Sequence, residues 1–345
     1  MMRAAVVENP GQLVIRNLSD PVPGPYQVLT KQLFGGICAA TDNHLVQGKL
    51  PIPGISYPLI LGHEAIGEVI SVGSKVRNLK PGDLVTRTGA PATDDCAANW
   101  GGFAELGLAY DFAAMRDDGL PEEEWQPHTI NRVLPAGTDP AAATMMITWR
   151  ETLSYITRLG PVSGKRVLII GSGGNGFSFL ALAKALSASA VAMIGNPRWS
   201  SHAAETGADA FADYRDQDAI ADLKNIGGAD GFDLMIDSVG YTGGIENVLS
   251  LMARGAAIGL YGLEALGERM NALHAIEAKG YRVHGPGEYA EGEAHDQAVE
   301  FMQSGALDAK VWFDPANPFS LDNINDSLAA VANRESLKAV VRISD

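Results

Sequence analysis

The sequence predicts a two-part α/β protein, a doubly wound parallel sheet combined with a β-rich domain. Three observations predict it. Arg166–Ile170 is a short apolar, β-branched run that enters a glycine-rich turn, and Phe177 to Leu186 then reads as a helix. Apolar strand-like runs at Ala190 to Ile194, at Phe232 to Gly240 (a strand ending in a turn) and at Ala257 to Gly262 continue that alternation downstream. Residues 1 to about 110, by contrast, are short strand-like runs punctuated by Gly and Pro.

The elements follow in order. Ala4–Val7 and Leu13–Ile15 suggest an opening hairpin, and Gln27–Leu33 alternates like a half-buried strand. Leu61–Val76 holds another strand, and Leu79–Val85 a turn and a strand. Beyond the glycine-rich turn, a helix is expected at Ile245–Met252, further helices near His295–Met302 and Leu321–Ala332, and a last strand at Ala339–Ile343.

Composition narrows the function classes. A chain of 345 residues is long enough for about two domains with separate cores. Its 46% hydrophobic and 19% charged content are those of a soluble globular protein. A formal charge of −15 without a basic cluster argues against nucleic acid or an anionic membrane as partner. Two cysteines, Cys38 and Cys96, exclude a disulfide framework and fit a reducing cytosol. The opening residues have no long apolar core, so no leader peptide is expected and the location expected is cytoplasmic.

The turn after Ile170 reads Gly171-Ser172-Gly173-Gly174-Asn175-Gly176, a G-x-G-x-x-G motif between a strand and a helix. In such a unit the first glycine allows the tight turn and the second lets a pyrophosphate reach the backbone. The third lets helix and strand pack closely, and the helix N-terminus faces the phosphates. NAD-binding units end the second strand with an acid on the ribose 2′-OH. Here Met193-Ile194-Gly195-Asn196-Pro197-Arg198 carries no acid, and none follows until Glu205. Gly195 is expected to leave room, with Asn196 and Arg198, helped by Ser200 and Ser201, as donors to a 2′-phosphate. NADP(H) is therefore expected in preference to NAD(H).

Four further motifs carry a resemblance. Gly62-His63-Glu64, with Gly67, Gly73 and Val76, gives G-H-E-x-x-G-x-x-x-x-x-G-x-x-V. Gly36-Ile37-Cys38 is followed by Thr41-Asp42-Asn43-His44, and Pro81-Gly82-Asp83 and Gly101-Gly102-Phe103-Ala104-Glu105 come after. Together they resemble the zinc-containing medium-chain alcohol dehydrogenases over essentially the whole chain. The resemblance implies a GroES-like catalytic domain over residues 1–150, completed by 288–345, and a Rossmann domain over 151–287. It implies one catalytic zinc (Zn2+) per chain, a small-molecule alcohol or carbonyl substrate, and a homodimer or homotetramer.

Cys38 and His63 are the implied zinc ligands. The residues just before the Rossmann domain offer Thr148 or Trp149 in the third-ligand position, so Glu151 and Glu64 stand as the alternatives. One residue more than the family carries separates Cys38 from Thr41-Asp42. If the loop bulges, Thr41 supplies the hydroxyl of a proton relay, His44 carries the proton outward and Asp42 hydrogen-bonds His63; otherwise Ala40 takes the hydroxyl position. Lys338 sits where the family places a basic residue on the cofactor phosphates. Thr88–Asn99 contains only Cys96, so no structural zinc is expected. Trp100, Trp149 and Glu122–Glu124 either shape the substrate pocket or pack. A zinc-free reductase of the same superfamily and a non-catalytic nucleotide-binding protein are the rival readings.

Overall fold

The Gly- and Pro-punctuated runs of the first 110 residues form strands that pair antiparallel, except that Leu59–Ile60 and Ala97–Ala98 pair with each other in parallel. The structure is a computed structural model describing residues 1–50, 53–240, 248–262 and 273–344. Its strands are β1 (Met2–Asn9), β2 (Gln12–Leu18), β3 (Gln27–Ile37), β4 (Leu59–Ile60), β5 (Glu64–Val72), β6 (Leu84–Thr86), β7 (Ala97–Ala98) and β8 (Leu106–Tyr110). Next come β9 (Arg166–Ile170), β10 (Ala190–Gly195), β11 (Ala210–Asp213), β12 (Phe232–Asp237), β13 (Met252–Leu260) and β14 (Arg282–His284), then β15 (Phe319–Ser320) and β16 (Ala339–Arg342).

The chain divides into two units. The first comprises Met1–Thr148, Glu291–Val299 and Asp308–Asp345, and the second Trp149–Ala290 and Glu300–Leu307. In the first, β2-β1-β4-β7 form one sheet and β15-β16-β3-β5-β6 another, with β8 also on β3. β3 organises this unit, pairing antiparallel with β5, β8 and β16. Along its first half every second residue is buried, whereas its last three residues, Gly35, Gly36 and Ile37, are all buried. Asp111 fastens the end of β8. Its carboxylate caps the helix Phe112–Asp117 at Ala114 N (3.0 Å) and accepts from Arg77 N (2.7 Å), Asn78 N (2.8 Å) and Asn78 Nδ2 (2.9 Å).

The second unit is the doubly wound sheet, with all-parallel order β11-β10-β9-β12-β13-β14. Counted within the unit this is 3-2-1-4-5-6, so the order reverses beside β9, whose carboxyl end carries the glycine-rich turn. The helix after that turn spans Gly174–Ala185 with Gly173 as N-cap, three residues earlier than its apolar spacing suggests. The expected helix Ile245–Met252 stops one residue short: Val248 is helical, and only Met252 departs from the expectation. Leu249–Leu251 is one 3-10 turn and β13 already begins at Met252; residues 245–247 lie outside the described residues. Pairing of Met252 with Phe232, and its burial in this unit's core, outweigh local helix preference at that residue.

Asp111 is 2% exposed, and burial alone would raise its pKa; the backbone donors of Arg77, Asn78 and Ala114 instead hold it below the usual aspartate value. Asp111→Ala is expected to cost roughly 2–4 kcal/mol in denaturant unfolding, the loss of a cap plus orphaned donors. Because the folded-state pKa is the lower one, this contribution is full above about pH 4 and fades as pH falls through the depressed value. An acid-unfolding midpoint equal in wild type and variant would contradict it.

Candidate metal and dinucleotide sites

The pairing of β3 with β5 places Gly36 opposite Glu64, so the end of one strand lies beside the start of the other. Cys38 follows β3 directly and His63 precedes β5 directly. The result is a cluster in the first unit. Cys38 Sγ, a His63 ring nitrogen and a Glu64 carboxylate oxygen lie within 4.8 Å of one another, all buried. His63 Nε2 is 3.7 Å from Glu64 Oε1.

Asp42 orients two of the three. The segment Thr41-Asp42-Asn43-His44 is helical, within Thr41–Gln47, and Ala40 is its N-cap, so the extra residue is taken up in the turn before the helix. Asp42 Oδ2 accepts from Cys38 N at 2.8 Å, and Oδ1 pairs with His63 Nδ1 at 3.1 Å. Burial alone would disfavour the imidazolium, but the charge and hydrogen bond of Asp42, with Cys38, raise the pKa of His63 well above its ordinary value. With Nδ1 held by the carboxylate, Nε2 is the nitrogen facing Glu64. Thr41 and His44, both half-buried, are three apart on one helix face.

One expectation is corrected. Lys338, expected on the cofactor phosphates, is 2% exposed, and its ammonium donates to Glu64 Oε2. β16 brings it there, since Ala339 pairs with Ile37 and Val340 with Gly36. Burial opposes both charges, yet each keeps the other ionised: Glu64 is held below and Lys338 above its ordinary pKa. A Cβ on Gly36 would come within 2.7 Å of Glu64 Oε2, so a residue without a side chain is required here. Glu151, the other third-ligand candidate, belongs to the second unit, where its carboxylate accepts from Tyr261 Oη at 3.4 Å. Thr148 Oγ1 donates to Glu64 Oε1 at 3.1 Å. The ring of Trp100 lies 5.5 Å from that of His63, whereas Trp149 is fully buried and Glu122–Glu124 form an exposed helical turn.

Two residues of this site went unrecognised in the sequence: Lys338 as the partner of Glu64, and Arg87, whose Nη1 donates to His63 O at 2.9 Å. Neither lies near a motif ligand in the chain. Only the extended run Ala339–Ile343 after Lys338 hinted that it would be carried into a sheet.

In the second unit, Gly171 (φ +107°) makes the turn. A Cβ on Gly176 would lie 2.0 Å from Gly171 O, which accounts for the third motif glycine. Around Gly173 nothing lies within 4 Å of an added Cβ, so the second glycine leaves its backbone open to a ligand, next to Gly174 and the half-buried Asn175 at the helix start. Gly195 is a correction. It does not leave room, because a Cβ there would meet Ser172 Cβ and Oγ at 2.5 Å. Asn196 caps the next turn, accepting from Arg198 N at 3.0 Å, and the exposed Arg198 guanidinium sits 5.9 Å from the Trp199 ring centre.

Comparison with known proteins places the chain. Residues 24–119 match the alcohol dehydrogenase GroES-like domain and residues 174–304 the zinc-binding dehydrogenase family. The chain belongs to the zinc-containing medium-chain alcohol dehydrogenase family. It is 27% identical over 341 residues to the L-galactonate-5-dehydrogenase of Escherichia coli K12, covering 99% of this chain and 98% of that one. It is 26% identical over 345 residues to the sorbitol dehydrogenase of Bacillus subtilis 168, covering 99% and 97%. Among solved structures, a zinc-binding dehydrogenase from Sinorhizobium meliloti 1021 bound to NADP superposes with a TM-score of 0.78 at 25% identity, covering 99% of both chains. The chain is thus an oxidoreductase like the alcohol and polyol dehydrogenases. No helix among the described residues is long and apolar enough to cross a membrane.

Removing the ammonium of Lys338 leaves a buried carboxylate uncompensated. Lys338→Met is expected to cost about 3–5 kcal/mol by denaturant unfolding, and adding Glu64→Gln should recover much of it. Additive losses in the double variant would show that the pair is not coupled.

Proposed function

We propose that this protein is a zinc-dependent oxidoreductase that transfers a hydride between NADP(H) and an alcohol or carbonyl substrate. The observation that carries the proposal is the convergence of Cys38, His63 and Glu64 within 4.8 Å. One thiolate, one imidazole and one carboxylate are a donor set suited to a catalytic zinc with an open fourth position. These three residues would hold the ion, which when bound supplies Lewis acidity at the substrate oxygen. Asp42 fixes the tautomer of His63 and steadies the Cys38 backbone. The Thr41 hydroxyl would accept the substrate proton and His44, on the same helix face, would pass it outward.

The glycine loop supports a dinucleotide in the second unit, with the start of the helix Gly174–Ala185 and the open approach over Gly173 to receive the pyrophosphate. Preference for NADP(H) rests on the missing acid at the end of β10 and on the exposed Arg198, and the NADP-bound Sinorhizobium relative is in keeping with it. The sorbitol and galactonate dehydrogenases among the relatives favour a polyol or sugar acid as substrate. A cytoplasmic homodimer or homotetramer, with a small molecule as the only other partner, completes the proposal.

Elemental analysis of protein prepared without chelator is expected to find about one zinc per chain, and Cys38→Ala should lose metal and activity together. Metal-free wild type that turns over substrate would instead identify a zinc-free reductase. For the cofactor, Arg198→Ala removes one charge-assisted contact of ~1.5–3 kcal/mol, so NADPH should bind roughly 10- to 100-fold more weakly and NADH almost unchanged. A higher kcat/KM with NADH than NADPH in wild type would overturn the preference. Gly195→Asp is no test of charge, since the packing of Ser172 would be disturbed first.

A further inference from the structure

We infer that Arg87 is a positioning residue for the metal centre, clamping the peptide between His63 and Glu64 so that two consecutive side chains face one point. The inference rests on the metal reading above. Successive side chains of a strand point to opposite faces, yet His63 Nε2 and Glu64 Oε1 approach to 3.7 Å. The chain leaves strand geometry here, with Gly62 at φ +94° and β5 beginning only at Glu64. The carbonyl that joins the two residues is that of His63, and it accepts from Arg87 Nη1 at 2.9 Å.

Arg87 is itself fixed through its backbone and both terminal nitrogens. It follows β6, its N–H donates to Ala65 O at 2.8 Å, and its own carbonyl accepts from Asn131 Nδ2 at 3.1 Å. Its Nη2 lies 3.1 Å from Glu291 Oε2, in a pair whose side chains are 10% and 4% exposed. Its backbone is left-handed, at φ +59°, a region where an L side chain is strained. Glycine would adopt that conformation freely but has no guanidinium. The strained arginine is thus held by contacts that end on the backbone of one candidate ligand and start the next.

The test compares wild type, Arg87→Met, Arg87→Gly, Arg87→Lys and Glu291→Gln, purified with metal. Three quantities are read: the rate of zinc release to a chelator, the absorption spectrum of the Co2+-substituted protein, and NADPH binding as a check on the second unit. Arg87→Met and Arg87→Gly are expected to release zinc at least ten-fold faster and to change the Co2+ spectrum, with NADPH binding as in wild type. Arg87→Lys should recover part of the loss, since an ammonium can still donate to the His63 carbonyl. A purely structural arginine predicts otherwise: Arg87→Gly, relieved of strain, would hold zinc as tightly as wild type, and that result overturns the inference. Should Arg87→Met fail to fold, Glu291→Gln decides. Release accelerated two- to five-fold supports the clamp and an unchanged rate overturns it. Wild type that binds neither zinc nor Co2+ overturns the metal reading and the clamp together, whereas metal held equally by wild type and Arg87→Met overturns the clamp alone.

Discussion

A buried carboxylate sets the terms for the first unit. Glu64 is 3% exposed, and an isolated carboxylate at that depth would take up a proton rather than stay charged. It stays charged because Lys338 donates to one oxygen and Thr148 to the other. Each partner is delivered by a different stretch of chain: Lys338 by the last strand, Thr148 by the end of the first long segment. The charged form of Glu64 therefore depends on β16 lying on β3, which brings in Lys338 from 274 residues away in the sequence.

Around that carboxylate the neighbouring side chains divide two tasks. Asp42 and Arg87 act on His63 from opposite ends, the first on its ring through Nδ1 and the second on its backbone through the carbonyl. Asp42 also receives Cys38 N, so one aspartate fixes a thiol-bearing turn and an imidazole together. Three chemically different donors then meet in a pocket shielded from water, where their mutual orientation is set before any ligand arrives. The left-handed backbone of Arg87 is a strained conformation at the place where this order is imposed, and Gly62 makes the neighbouring turn without that cost.

The second unit follows a simpler rule. Its parallel sheet is buried on both faces, its core strands are continuous apolar runs, and its ligand-facing end is made of backbone. Glycines there answer to local geometry, either a carbonyl 2.0 Å from where a Cβ would be, at Gly176, or empty space, at Gly173. Gly195 shows how the same residue type can mislead. Its side-chain position is filled by Ser172, so the missing acid follows from packing as well as from any choice of cofactor.

The sequence by itself determined what is local or repeated. Strand alternation, the β-branched run Arg166–Ile170 before its glycine loop, and the motifs around Cys38 and His63 state the fold class and the family, because each depends on residues near one another in the chain. Boundaries were less legible, as at Met252, where pairing with Phe232 outweighed helical periodicity. What only the tertiary structure decided are the partners of buried charge. Nothing near Lys338 in the chain announces Glu64. The pairing of Lys338 with Glu64 follows from which strands lie side by side, since a buried ion must find its counter-charge in space and not in sequence.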